Sequence, residues 1–208
     1  MTRTTAHKHS TEDSRLTSSD LHAELRRVTC DLHRDIDRHP VLAPLAGSAT
    51  LPEYQRALAA MYAITAPVES CVADYLEARR LPLDYRARRR TPKLLQDLEF
   101  YGLMPPGPVW AGPTIPTDGE LVGCLYVLEG ATRGSRHIFR RMTKTLGISE
   151  GRGGQFFSGH GDRSDARWQE FWSFAAEHCP PEKWAEAGHA AVTLLSSYRA
   201  LLDPFEGR

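Results

Sequence analysis

Apolar residues recur at helical spacing along nearly the whole chain. Leu21, Leu25, Val28, Leu32 and Ile36 follow one another at intervals of three and four, which marks an amphipathic helix with one buried stripe. Ser18, Ser19 and Asp20 at its start are candidate N-caps. Residues 54–80 form a long amphipathic segment in which Pro67, lacking an N–H donor, predicts a kink. A shorter helix is expected over 91–101, and the glycines and prolines crowded into 102–119 predict a loop. A helix over 121–141 follows, with Leu121, Leu125 and Leu128 on its core side, then a glycine-rich turn at 147–154 and two closing helices over 164–177 and 182–202. No stretch alternates at a strand's period and no segment repeats, so the chain is expected to be all-α.

The helix over 121–141 carries Gly123, Gly130 and Gly134 in its interior. At about 100° per residue all three fall within a sector of roughly 40°, away from the leucine stripe. Each costs about 1 kcal/mol against alanine, so a face without side chains must serve something. Small residues at this spacing let two helix backbones approach, and they equally let a flat ligand lie against one backbone.

A second chemical feature sits on the first helix. His33 flanks the apolar stripe, and Asp37 lies one turn further on, within reach of the imidazole. A histidine that ligates a metal through one ring nitrogen usually donates the other N–H to a carboxylate or carbonyl. The ordinary alternative is a structural histidine beside a solvated helix pair.

The run Leu25-Arg26-Arg27-Val28-Thr29-Cys30-Asp31-Leu32-His33 resembles the first-helix signature of the heme oxygenases, which leads to the proximal iron-binding histidine. Tyr54, Leu58, Met61-Tyr62 and Val68-Glu69 are similar to that family's next helix. The run from Tyr126 through Glu129, Gly130, Ala131 and Thr132 to Gly134 resembles the bacterial form of its glycine-bearing distal helix, and Phe156-Phe157 falls where paired phenylalanines are common. Mammalian members have an aspartate where this chain has Ala131, and Arg133, Arg136 and His137 make this helix unusually polar.

The resemblance, spanning roughly residues 21–200, implies an all-α, single-domain bundle with heme between a proximal N-terminal helix and the distal helix. It implies His33 as the iron ligand, Asp37 as its partner, and Gly130 and Gly134 as the catalytic distal positions. Arg26, Thr29, Tyr126, Phe157 and, near the C-terminus, Tyr198 are then heme-binding candidates, with Arg26 beside a propionate and Arg199 a weaker candidate. The implied activity is cleavage of heme to biliverdin, carbon monoxide and free iron, using O2 and an electron donor such as ferredoxin or a reductase. A bilin-binding photoreceptor is a candidate recipient of the product. The alternative is a heme-binding or heme-transfer protein on the same fold without turnover.

Composition narrows the setting. The 26 basic and 26 acidic residues cancel, which argues against nucleic acid or an anionic membrane as the main partner. The four cysteines stand singly, without a C-x-x-C pair, and fit a reducing cytoplasm. No apolar run is long enough for a membrane span or a signal peptide. Residues 1–19, with His7 and His9, read as a polar tail before one domain over 20–208. Arg86, Arg88, Arg89, Arg90 and Lys93 read as a solvated stretch or as a dock for an acidic electron donor, and His160 as a loop residue. A di-iron bundle would need paired Glu-x-x-His motifs, and Glu177-His178 cannot share a helical face.

Overall fold

The computed structural model describes residues 17–207, so residues 1–16, including His7 and His9, lie outside the described residues. Six helices carry the fold: α1 (Ser18–Asp37), α2 (Leu51–Arg79), α3 (Thr91–Phe100), α4 (Asp118–Leu146), α5 (Ser164–His178) and α6 (Trp184–Leu202). No strand forms among the described residues, and no helix among them is long and apolar enough to cross a membrane.

The predicted helices are present, with corrected ends. Thr17 caps α1, its backbone N–H donating to the Asp20 carboxylate at 2.8 Å, so Ser18 and Ser19 are already helical and do not belong to a tail. Thr50 and Glu53 form the same reciprocal cap one turn before the predicted start of α2, which continues as helix through Pro67. Thr117 and Glu120 cap α4, and Gly147 ends it in the left-handed conformation at φ 66°. A polar residue paired with an acid three positions on defines these starts better than the first apolar residue does.

α6 lies at the centre, packed against both α1 and α4, while α3 rests on α2 and α5 on α4. Gly123 makes the α4–α6 contact possible. A Cβ there would stand well inside van der Waals contact distance of the Ala187 carbonyl oxygen and 2.9 Å from the Ala190 Cβ. Gly188 of α6 faces Val28 of α1, and Arg199 of α6 pairs with Asp35 of α1 at 3.1 Å.

The basic segment expected to be solvated is so at Arg86 and Arg89 but interior at two positions. Arg88 and Arg90 are only 2% and 4% exposed. Arg88 pairs with the buried Glu129 of α4 at 2.9 Å and with Glu170 of α5 at 2.8 Å. Arg90 donates to the Thr132 hydroxyl and the Phe156 carbonyl, both at 2.9 Å, and its guanidinium lies 3.8 Å from the centre of the Phe156 ring. Glu69 of α2 accepts the backbone N–H groups of Arg90 and Thr91 at 2.6 and 3.0 Å, serving as the N-terminal cap that α3 lacks in its own sequence. Asp97 of α3 accepts the N–H groups of Gln155 and Phe156 at 2.8 and 2.7 Å, which pins the loop that leaves α4. Lys93 donates to the Gly159 carbonyl of the same loop.

Gly123→Ala therefore forces α4 and α6 apart. Overpacking of this kind costs about 1–3 kcal/mol. At about 2–4 °C per kcal/mol for a chain of this size, the melting temperature of the ligand-free protein should fall by several degrees. An unchanged melting temperature would show that the two helices do not meet through Gly123.

Candidate functional site

Two helices face each other across a cleft. On α1, His22, Arg26 and His33 lie within about 40° around the axis. On α4, Tyr126, Gly130, Gly134, His137 and Arg141 lie within about 80°. The walls meet at one end, where the His22 ring stands 6.3 Å from Tyr126 and both lean on Trp168 and Trp172 of α5, with centroid separations of 4.9–6.4 Å. At the other end the short 3-10 turn Ala43–Ala46, which follows α1, packs on the C-terminal half of α4. Between these closures stand His33 on one wall and Gly130 and Gly134 on the other. A Cβ built at either glycine would have nothing within 4 Å, in contrast to Gly123.

The His33 ring is half-buried, and its Nδ1 lies 3.0 Å from the Thr29 carbonyl oxygen. A carbonyl oxygen only accepts, so the ring proton sits on Nδ1 and Nε2 keeps its lone pair. Thr29 itself is buried, its hydroxyl donating to the Leu25 carbonyl at 2.7 Å. That turn fixes the orientation of the imidazole.

No protein-family model and no curated protein sequence matches the chain. Solved structures do match its fold. The NO- and CO-bound heme oxygenase of Neisseria meningitidis gives a TM-score of 0.76 over 89% of this chain and 91% of that one, at 21% identity. The heme oxygenase of Leptospira interrogans gives 0.69 over 88% and 98%, at 17% identity. Heme oxygenase-1 of the cyanobacterium Synechocystis, in complex with heme, gives 0.67 over 90% and 92%, at 15% identity. The chain has the heme oxygenase fold.

Within this heme oxygenase fold the sequence-predicted residues separate into two groups. His33 and Arg26 share one face of α1, Tyr126, Gly130 and Gly134 share one face of α4, and the Thr29 carbonyl orients the His33 ring. Asp37 does not hold His33: it is the exposed last residue of α1, and the Thr29 carbonyl takes the Nδ1 proton instead. A carbonyl four residues back, inside the rigid helix, reaches the ring more directly than a side chain on the fraying last turn. Tyr198 is buried on the α2 and α4 side of α6, near Glu69 and Cys124, where burial pushes its phenol well up. It does not belong to the cleft. Arg199 is engaged by Asp35 and Asp203, and Phe157 packs on Tyr54 and Phe156 with centroids 5.7 and 5.0 Å away.

Sequence reasoning missed His22, Trp168, Trp172 and the cleft-facing placement of His137 and Arg141. Stepping back eleven positions from His33, and forward along the face of Gly130 and Gly134, would have found the residues of α1 and α4; the two tryptophans carry no such signal. A second group of potential metal ligands, His39, Asp203 and Glu206, is a clamp. His39 Nδ1 accepts the Val41 N–H at 3.2 Å, so its proton sits on Nε2 and is donated to Asp203 at 3.0 Å, with Glu206 at 3.3 Å. A metal at Nε2 would have to displace that proton.

His160 lies in the loop between α4 and α5, as expected, but its side chain is buried there. Its side chain is 9% exposed, with Nε2 3.9 Å from the Glu129 carboxylate directly behind Gly130. Burial, reinforced by the neighbouring cations Arg90, Lys93, Arg167 and Arg88, pushes its pKa down from 6.5 to about 4. Burial pushes Glu129 up, against the pull of Arg88. For His160 both folded and unfolded states are neutral above pH 6.5; below it the unfolded chain takes the proton first, so stability declines as pH falls from 6.5 toward 4. His160→Gln should lose less stability than wild type between pH 7 and pH 5, read from urea midpoints. Equal losses would place His160 in solvent.

Proposed function

We propose that this chain is a heme oxygenase that holds heme between α1 and α4 and cleaves it to biliverdin, carbon monoxide and free iron, using O2 and external electrons. The observation that carries the reading is the pairing across the cleft. One wall presents an imidazole whose Nε2 lone pair is kept free by the Thr29 carbonyl; the other presents two helical positions where even a Cβ would touch nothing. The fold shared with three heme oxygenases supports it.

Bound heme would supply the redox chemistry at its iron. The protein's part is ligation, orientation and exclusion. His33 would provide the nitrogen ligand, its ring oriented by the Nδ1–H bond to Thr29. Gly130 and Gly134 would let the α4 backbone come close to the ring face and keep imidazole and carboxylate side chains off it. The group formed by His22, Tyr126, Trp168 and Trp172 would shut one end of the cleft to water. Arg26 stands on the His33 face as a cation at the mouth. Electrons would come from a ferredoxin or a reductase, and Arg88 and Arg90, being buried, are not its docking surface. The cytoplasm, where lone thiols stay reduced, is the compartment that fits.

Two substitutions test the two walls. His33→Ala should abolish the normal Soret spectrum of the one-to-one heme complex, and a variant that binds and reacts like wild type would remove His33 as the ligand. Gly134→Phe has room to fold and should keep the His33-ligated spectrum while losing on the order of a hundredfold in single-turnover rate. With ferredoxin and its reductase in air, and catalase present, the wild-type complex should lose its Soret band and release a bilin and carbon monoxide. A complex that survives repeated reduction would instead support a heme carrier.

A further inference from the structure

The rings at one end of the cleft touch one another in a row that leads to the surface. Tyr126 lies one turn before Gly130 on the same face of α4 and is 7% exposed. Its ring centroid stands 6.4 Å from that of Trp168 and 6.2 Å from that of Trp172, both on α5. The two indoles meet at 5.4 Å with their planes at 90°. His22 of α1 packs against them, 4.9 Å from Trp172. Both indoles are half-buried, so the row begins at Tyr126 and ends at the surface of α5.

Packing alone does not call for indole here. Phe171, with its centroid 4.8 Å from that of Trp172, is fully buried and fills the same layer with carbon only. A phenylalanine at 172 would close the cleft without burying a donor. The Trp172 Nε1–H is instead buried with no acceptor among the described residues, and a buried donor left unpaired is costly. Trp184 shows the ordinary arrangement, its Nε1–H donating to the Cys179 carbonyl at 3.2 Å.

What indole and phenol have, and phenyl lacks, is ready loss of one electron. An oxidised indole whose N–H faces no base keeps its proton, so the positive hole is not trapped there and passes to the next ring. Nearby charge does little to oppose it: Arg133 stands 5.5 Å from the Trp168 ring, and Asp165 lies 3.8 Å from that guanidinium. Burial, with Arg26 and Arg133 beside it, lowers the His22 pKa from 6.5, so the imidazole against the indoles is neutral at pH 7.

We propose that Tyr126, Trp172 and Trp168 form a route by which oxidising equivalents leave the cleft, giving the protein a second, peroxide-reducing activity that guards the site. The inference rests on the cleft holding an iron tetrapyrrole. Two electrons and two protons reduce hydrogen peroxide to two waters. One electron comes from the ligand's iron and the other from the row of rings. Trp168, the last to hold the hole, releases its Nε1 proton to solvent and becomes a neutral radical. A small reductant of the ascorbate class returns one electron and one proton to that indole, and a second molecule returns one electron to the iron.

The test mixes the ferric heme complex with hydrogen peroxide, freezes it within seconds and reads the protein radical by electron paramagnetic resonance. Wild type should give an organic radical whose signal narrows when tryptophan is ring-deuterated. Without reductant, peptide mass spectrometry should find oxidised indole at Trp168 and Trp172, and ascorbate should suppress both signals. The double variant Trp168→Phe, Trp172→Phe should lose the deuterium-sensitive signal and leave the radical on Tyr126, whereas Trp184→Phe should keep the wild-type signal. A wild-type complex that forms no radical, a radical indifferent to deuteration, or oxidised residues found only outside this cluster would overturn the inference. Bilin formation with ferredoxin in those same samples would leave the heme reading intact. Failure of wild type to bind heme would overturn both.

Discussion

The contact between Arg88 and Glu129 sets the terms for the rest of the molecule. It places a guanidinium and a carboxylate, both nearly excluded from solvent, behind the point at which α4 loses its side chains. Taking two charges out of water is costly, and the cost is offset by further contacts: Arg88 also reaches Glu170 and the Arg167 carbonyl, and only its Nε–H is left without a partner. Arg90 fastens the next turn of α4 through Thr132, and Glu69 fixes Arg90 by its backbone. Removing one member would leave an unpaired charge in the interior, a loss of about 3–5 kcal/mol. A helix gripped this firmly from behind can expose a bare front without shifting.

The same three glycines do two unrelated jobs. Gly123 is empty because another backbone occupies the space, whereas Gly130 and Gly134 are empty because nothing does. Local sequence is identical in kind at all three positions, and only the element across from each distinguishes them. α6 meets α4 at Gly123, near the start of both helices, whereas nothing packs on the same face of α4 at Gly130 and Gly134.

Much of the architecture was legible because burial of one helical face leaves a period that composition does not blur: all six helices follow from it. Partners were not legible. Arg88 and Arg90 read as surface residues because lone arginines generally are, while the acids that neutralise them lie on α2, α4 and α5. Asp37 read as the partner of His33 because side-chain spacing is visible in a sequence, but a backbone carbonyl is present at every residue and so carries no signal. Tyr198 and Phe157 read as ligand contacts because an aromatic residue looks the same whether it faces a cleft or the core.

The placement of α1 has a consequence for biosynthesis. α1 finds its main packing surface on α6, about 150 residues later in the chain, through Val28 against Gly188 and Asp35 against Arg199. At about 5–20 residues per second, the interval between making the two is on the order of ten seconds or more. Through that interval the histidine wall has no scaffold, however well its own turn is formed. A nascent chain thus cannot settle α1 against its packing partner before α6 has emerged, so the order of the helices along the chain delays completion of the histidine-bearing face.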